Sequence, residues 1–142
     1  MAAGHSIEHE LAVTAAASSV HDAIATRDGL RGWNTSRVTG DGKAGSEWTL
    51  SYDGAPDFRW RVDRSDASGV AWTCTHGPGD SLGTTGQYVL TRMPDGRTRV
   101  LLKHGGWPHR EGNFNKCNTL WGAMLFRLKD FVESGKSAPV HG

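Results

Sequence analysis

The stretch "NKCNTLWGAMLFRLKDFVE", residues 115–133, decides the fold of this chain. Its apolar residues recur at spacings of three and four, which places them on one face of an α-helix. They are Cys117, Leu120, Trp121, Met124, Leu125, Leu128, Phe131 and Val132. A helix with so wide an apolar stripe must cover another apolar surface, so the rest of the chain has to supply one. Gly135 follows as a C-cap of this helix.

Residues 35–105 supply that surface as a series of β-strands separated by turn sequences. In "FRWRVDR", residues 58–64, the apolar Phe58, Trp60 and Val62 alternate with charged residues, which is typical of a strand with one buried face. Four other stretches read in the same way: "SEWTLSYD" (46–53), "GVAWTCTH" (69–76), "TTGQYVLTRM" (84–93) and "GRTRVLLKH" (96–104). Strands that follow one another through tight turns form a meander, so the sequence predicts an antiparallel sheet.

The N-terminal part adds one more strand and a short helix. Residues 6–14 alternate between apolar and polar types, whereas residues 18–26 change to a helical spacing, with Ser19 and Asp22 as a variant capping box. The order of elements predicts an α+β fold of the helix-grip (START-like) type. In it a curved antiparallel sheet wraps around the long C-terminal helix, with one or two short helices after the first strand.

Length and charge limit the classes of function. A chain of 142 residues predicts a single domain, here residues 1–135, followed by a disordered tail at 136–142. The formal net charge of +1 gives no field that would attract nucleic acid. No apolar run reaches the roughly 18 residues of a membrane span, so we expect no membrane insertion and a cytoplasmic location. The two cysteines, Cys74 and Cys117, are expected to be reduced, and no cofactor is expected.

The predicted inner face of the sheet combines large aromatic residues with histidines, which a sealed core would not favour. We therefore predict a partly hydrated cavity between the sheet and the C-terminal helix. Its wall would be formed by Trp48, Tyr52, Trp60, Trp72, Tyr88, Trp107, Trp121, Met124 and Leu128. A polar group of the ligand would be oriented by His9, His76 and His104.

A glycine-rich junction, "HGGWP" at residues 104–108, connects the last strand to the long helix. Its glycines permit unusual backbone angles and Pro108 stiffens the exit, so that Trp107 would fold over the gap where the helix begins. From the sequence, Trp107 serves either as a mobile lid over the cavity or as a fixed plug that anchors the helix.

The reactive residues do not form a recognisable catalytic or metal motif. The three histidines come from separate strands, and no spacing forces them together around a metal ion. Cys74 and His76 are about 6–7 Å apart if they share one face of a strand, too far for a nucleophile and its base. The glycine-rich stretch at 77–86 lacks the phosphate-loop pattern. These observations leave acid–base use of a cavity histidine open, but they do not identify a reaction.

The order of elements resembles the START-like, helix-grip or SRPBCC superfamily, and nearly the whole chain takes part in the resemblance. The branch it resembles most is the C-terminal domain of the activator of the heat-shock-protein-90 ATPase. The resemblance rests on these motifs: "VHDAIATRDGLRGW" (20–33), "GSEWTL" (45–50), "FRWRVDR" (58–64), "GVAWTCTH" (69–76), "HGGWP" (104–108) and "NTLWGAMLFRLKDFVESG" (118–135). It implies a cavity between sheet and helix, but its members range from ligand carriers to enzymes to co-chaperones.

Three hypotheses about function follow. The first, which we favour, is binding of a small hydrophobic or aromatic molecule by a carrier or sensor without chemistry. The second is a polyketide cyclase-like enzyme that uses a cavity His or Tyr. The third is a chaperone-associated or other protein-interaction domain. In each case we expect a monomer or a homodimer. A large cavity favours the first two, whereas a cavity filled by tryptophans with apolar residues exposed outside favours the third.

Overall fold

A computed structural model describes residues 4–136 of the chain. Its strands are β1 (His5–Val13), β2 (Arg37–Thr39), β3 (Glu47–Ser51), β4 (Phe58–Asp66), β5 (Gly69–His76), β6 (Thr85–Arg92) and β7 (Thr98–Trp107). Its helices are α1 (Ala17–Ala25), α2 (Arg27–Trp33) and α3 (Asn113–Ser134), with one 3-10 turn at Gly79–Ser81. The tail predicted at 136–142 lies, beyond Lys136, outside the described residues.

All seven strands form one antiparallel sheet in the order β1-β7-β6-β5-β4-β3-β2. Strands β2 to β7 follow the chain as a meander, and β1 pairs with β7 at the far edge. The two short helices carry the chain from β1 at one edge of the sheet to β2 at the other. The predicted α+β fold with an antiparallel sheet and a long terminal helix is confirmed.

Helix α3 lies on the apolar face of the sheet. The helix buries five residues, Phe114, Trp121, Met124, Leu125 and Leu128, in the same core as the inward side chains of the strands. It ends where Gly135 adopts a left-handed conformation (φ 74°) and donates its N–H to Phe131 O. Glycine tolerates this conformation without a steric penalty, as the predicted C-cap requires. No helix within residues 4–136 combines the length and the hydropathy needed to cross a membrane.

The helical region after β1 corrects one local prediction. The capping box of Ser19 and Asp22 does not form: α1 begins after Ala16, and no side chain caps it. The N-terminal cap belongs to α2 instead, because Thr26 Oγ1 accepts a hydrogen bond of 3.0 Å from Gly29 N. Helix α1 therefore ends at Ala25, and the chain turns at once into α2.

Candidate functional site

A cavity lies between the sheet and the first half of α3. About 110 Å³ of it is accessible to the centres of water molecules. Its lining comes from the residue after α2, the sheet, the β3–β4 loop and α3: Asn34, Leu50, Tyr52, Ala55, Phe58, Trp60, Trp72, His104, Cys117, Leu120, Trp121 and Met124. Two of these residues, Ala55 and Leu120, are exposed to solvent and mark the mouth of the cavity. The strands and the helix thus enclose a small space that opens beside the β3–β4 loop.

Aromatic rings form a continuous wall on the sheet side of the cavity. The rings of Phe58 and Trp60 stack with centroids 6.0 Å apart and planes 9° apart. The ring centroid of Trp60 also lies 5.8 Å from that of Trp72 and 5.3 Å from that of His104. These side chains share the inward parity of neighbouring antiparallel strands, where cross-strand pairs come close. The wall presents flat, polarisable surfaces to anything held in the cavity.

His104 is held by hydrogen bonds at both ring nitrogens. Trp121 Nε1 donates to Nδ1 at 3.0 Å, and Nε2 lies 2.7 Å from Thr84 Oγ1, whose hydroxyl donates to Ser81 O. An indole can only donate, so Nδ1 carries no proton and Nε2 donates to Thr84. Burial lowers the pKa of His104 to about 3. The imidazole is therefore neutral near pH 7, and its only lone pair is already engaged.

The opposite end of the cavity has a second polar pair, Asn34 and Tyr52. Asn34 follows α2 directly and is 1% exposed. The Tyr52 hydroxyl donates a hydrogen bond to Asn34 Oδ1. Burial raises the pKa of Tyr52 well above its usual value, so the phenol stays protonated and remains a donor.

The structure brings six of the twelve predicted site residues to the cavity: Tyr52, Trp60, Trp72, His104, Trp121 and Met124. Four others are buried elsewhere in the core: Trp48, Tyr88, Trp107 and Leu128. Trp48 packs against Gly40 and Gly42 of the β2–β3 loop. Tyr88 lies behind the wall, with its ring 5.3 Å from that of Trp72 and 5.8 Å from that of Trp121.

His76 departs from its predicted orientation: it is exposed, not inward-facing. The cause is a β-bulge, since Trp60 pairs with Cys74 but the outward-facing Arg59 pairs with His76. Thr75 is thus an extra residue that reverses the parity of the strand end. A period of two in the sequence cannot reveal such an insertion.

The three histidines are consequently apart. His9 is half-buried on the inner face of β1, where its Nε2 lies 2.8 Å from Asn118 Oδ1 of α3. It does not line the cavity, whereas His104 does and His76 is on the surface. Within residues 4–136, no three His, Cys, Asp or Glu residues come close enough to hold a metal ion.

The two thiols are buried to different degrees and are both free. Burial raises the pKa of Cys74, and it raises the pKa of Cys117 to about 11. Both thiols are therefore protonated near neutral pH and are weak nucleophiles. Cys117 lines the cavity as a small apolar group.

Trp107 is fully buried, and its ring centroid lies 4.8 Å from that of His104 and 5.9 Å from that of Phe114. The loop that follows is tied down at two points: His109 Nε2 lies 2.8 Å from Asp80 Oδ2, and Arg110 Nε donates to His5 Nδ1 at 3.2 Å. Trp107 thus occupies the position of a plug behind His104, and the mouth of the cavity lies elsewhere.

Six lining residues were not among the predicted site residues. The alternation had marked Leu50 and Phe58 as inward-facing, and the apolar stripe had included Cys117 and Leu120, so a signal existed for these four. Asn34 and Ala55 had none, because each follows a structural element at a place where the sequence shows no periodicity.

Comparisons with solved structures give the context of this architecture. An Aha1 dimer from Colwellia psychrerythraea is similar at 27% sequence identity and a TM-score of 0.84, over 93% of this chain and 98% of that one. CalU16 from Micromonospora echinospora is similar at 16% identity and a TM-score of 0.78, over 96% of this chain and 71% of that one. No protein-family model and no curated protein sequence matches the chain.

The fold is the helix-grip fold. DynU16, from the dynemicin biosynthetic locus, has it as well, at 17% identity and a TM-score of 0.75 over 93% of this chain and 48% of that one. These neighbours confirm the resemblance to the SRPBCC superfamily and to its Aha1-like branch. At 16% and 17% identity, CalU16 and DynU16 establish a shared helix-grip fold and not a shared activity.

Proposed function

We propose that this helix-grip protein binds a small, apolar, aromatic molecule in the cavity between its sheet and α3. One observation carries the proposal: the cavity is walled by adjoining aromatic rings and no Asp, Glu, Lys or Arg is among its lining residues. An apolar cavity with a few placed polar groups is the usual character of a small-molecule site. A solvent-facing mouth at Ala55 and Leu120 gives the molecule a way in.

The size of the cavity limits the ligand. The space of about 110 Å³ accessible to water centres suits a molecule of roughly one or two fused rings. The tryptophans fill much of the hollow that a larger ligand would need. We therefore expect affinity for compact bicyclic compounds and none for long acyl chains.

A carrier or sensor role fits this site better than acid–base catalysis. The one imidazole in the wall, His104, has its Nδ1 lone pair occupied by Trp121 and a pKa of about 3. A general base works best with a pKa near the operating pH and a free lone pair within reach of its substrate. Neither condition holds for His104, which argues against a cyclase-like mechanism through this residue.

Native mass spectrometry of the protein purified from its own host tests the proposal. We expect a co-purifying small aromatic molecule at up to one per chain. The variant Cys117→Phe places a ring inside the cavity and should abolish this adduct, whereas Ala123→Phe, on the exposed side of the same helix, should leave it. Equal adducts in both variants, or none in the wild-type protein with added indane, would contradict the proposal.

Association with a protein partner is a second candidate, which one observation favours. On the outer side of α3, Phe126 is 65% exposed, and a large apolar side chain that is left in water often marks a contact. In analytical ultracentrifugation, Phe126→Ser should reduce any self-association without changing occupancy of the cavity. Unchanged sedimentation across concentrations in both forms would exclude a dimer through this face.

A further inference from the structure

We infer that Asn34 selects, among the aromatic molecules proposed above, uncharged ones that carry a hydrogen-bond acceptor such as a ketone oxygen. The inference rests on the proposed function and names the ligand class of the same cavity. It makes Asn34 the specificity-determining residue and Tyr52 the residue that positions it.

The place of Asn34 is fixed by its backbone, which leaves its side chain for another role. Its backbone N–H donates to Leu30 O at 2.8 Å and closes the last turn of α2. The side chain does not take part in this cap. It lies in the lining of the cavity and is almost fully buried, at 1% exposure.

The carboxamide is oriented by Tyr52, whose hydroxyl donates to Oδ1. This bond turns the Nδ2 group away from Tyr52, and the two Nδ2–H bonds meet no acceptor within residues 4–136. Nδ2 is nevertheless not among the polar atoms sealed from both water and protein, so it keeps access to the cavity. Nδ2 therefore faces the cavity as a donor with no protein acceptor, and it is available to an acceptor atom of a bound molecule.

The remaining polar groups of the wall agree with an uncharged acceptor. Trp72 Nε1 is sealed from the cavity, so it offers a ligand no competing donor. His104 is neutral and its two nitrogens are engaged with Trp121 and Thr84. With no ionised side chain in the lining, a charged ligand would lose its hydration without compensation. A neutral ketone on a ring system has the acceptor that Nδ2 lacks and the flat body that the wall accommodates.

The matched probes are 1-indanone and indane, which share one bicyclic skeleton and differ by a carbonyl in place of a methylene group. We expect indanone to bind wild-type protein roughly tenfold more tightly than indane, about the effect of one satisfied buried hydrogen bond. In ¹H–¹⁵N spectra the Asn34 side-chain amide should shift downfield with indanone and not with indane.

Two variants separate recognition from packing. Asn34→Leu keeps the volume but removes the donors, so it should bind both probes with equal affinity. Tyr52→Phe frees the carboxamide to turn and should lower the ratio of indanone affinity to indane affinity. Asn118→Leu makes the same exchange at an exposed site on α3, beside His9, and should keep the full preference.

The outcomes distinguish this inference from the proposed function. Equal binding of indanone and indane to the wild-type protein would overturn the role of Asn34 and leave the aromatic-binding function standing. Binding of neither probe would overturn both. The wild-type comparison and the Asn34 amide shift need no substitution, so they decide the question even where Asn34→Leu does not fold.

Discussion

At the scale of single residues, His104 shows how a buried polar group is accommodated next to an apolar cavity. A chain of hydrogen bonds runs from Trp121 through His104 and Thr84 to Ser81 O. Each donor meets one acceptor, so the imidazole is satisfied without carrying charge. The same arrangement makes the protein sensitive to acid, because protonation of His104 would break the bond from Trp121.

The first prediction concerns the pH dependence of stability. The pKa of His104 is about 3 in the folded protein and 6.5 in the unfolded chain, so the unfolded chain binds the proton first. The stabilisation is thus fully present above pH 6.5 and is lost as pH falls toward 3. From pH 6 to pH 4.5, the free energy of unfolding should fall by about 2 kcal/mol on this account. Urea unfolding at the two pH values measures it.

His104→Gln is the variant that isolates this effect, because a glutamine amide offers an acceptor and a donor but no titration in this range. The fall between pH 6 and pH 4.5 should largely disappear in His104→Gln. It should persist in His76→Gln, since His76 is exposed. A fall of the same size in all three proteins would assign it to other groups.

Residue positions were predictable from the sequence where the strands are regular. Trp60 and Trp72 face the cavity as the alternation predicts, because the pairing of β4 with β5 is regular between these two residues. The predicted inward orientation of His76 was wrong, because one extra residue at the β-bulge reverses the alternation beyond it. Asn34 had no sequence signal at all, since its role depends on where the end of α2 meets the cavity.

At the scale of elements, α1 and α2 are held at a sharp junction by one side chain. Thr26 Oγ1 accepts a hydrogen bond from Gly29 N and donates one to Asp22 O. It therefore caps the start of α2 and also links it to the last turn of α1. A helix cap of this kind contributes about 1 kcal/mol. The sequence placed the cap at Ser19 instead, because the capping-box pattern does not distinguish a helix start from a residue inside the helix.

Replacement of the two candidate caps tests which one operates. Thr26→Ala should lower the free energy of unfolding by about 1 kcal/mol, since it leaves the Gly29 amide without its acceptor. Ser19→Ala should change it by only a few tenths, because no side chain caps α1. Chemical denaturation of both variants measures the difference. A larger loss in Ser19→Ala than in Thr26→Ala would restore the capping box.

Two helical glycines should respond to alanine with opposite signs. A Cβ on Gly29 would lie 2.2 Å from Asp22 O, so the backbones of α1 and α2 would have to separate. A Cβ on Gly122 of α3 would meet only His9 Cε1 at 3.8 Å, an ordinary contact. Gly29→Ala should therefore destabilise the protein by about 1–3 kcal/mol, while Gly122→Ala should stabilise it by up to about 1 kcal/mol. Thermal unfolding compares them, and a stabilised Gly29→Ala variant would contradict the close packing of α2 on α1.

At the scale of the whole molecule, the sequence predicted the architecture better than the site. The apolar stripe of α3 and the alternating strands each specify a face, and two faces that must bury each other leave few arrangements. The cavity depends on what remains after the side chains pack, which is a small difference between large volumes. Trp48 packs against the β2–β3 loop and not into the cavity, because Gly40 and Gly42 leave room for its ring there. The period of the sequence does not predict such contacts.

The last prediction follows from the cavity's existing only in the folded protein. A ligand that binds there and not to the unfolded chain adds RT ln(1 + [L]/Kd) to the free energy of unfolding, about 2.7 kcal/mol at a hundred times Kd. For a domain of this size, 1-indanone at that excess should raise Tm by roughly 5–10 °C. The rise should continue with the logarithm of concentration and be absent in Cys117→Phe, where a ring takes the space. A rise of equal size in Cys117→Phe would place the binding site outside the cavity, and a fall in wild-type Tm would mean that the unfolded chain binds the probe better.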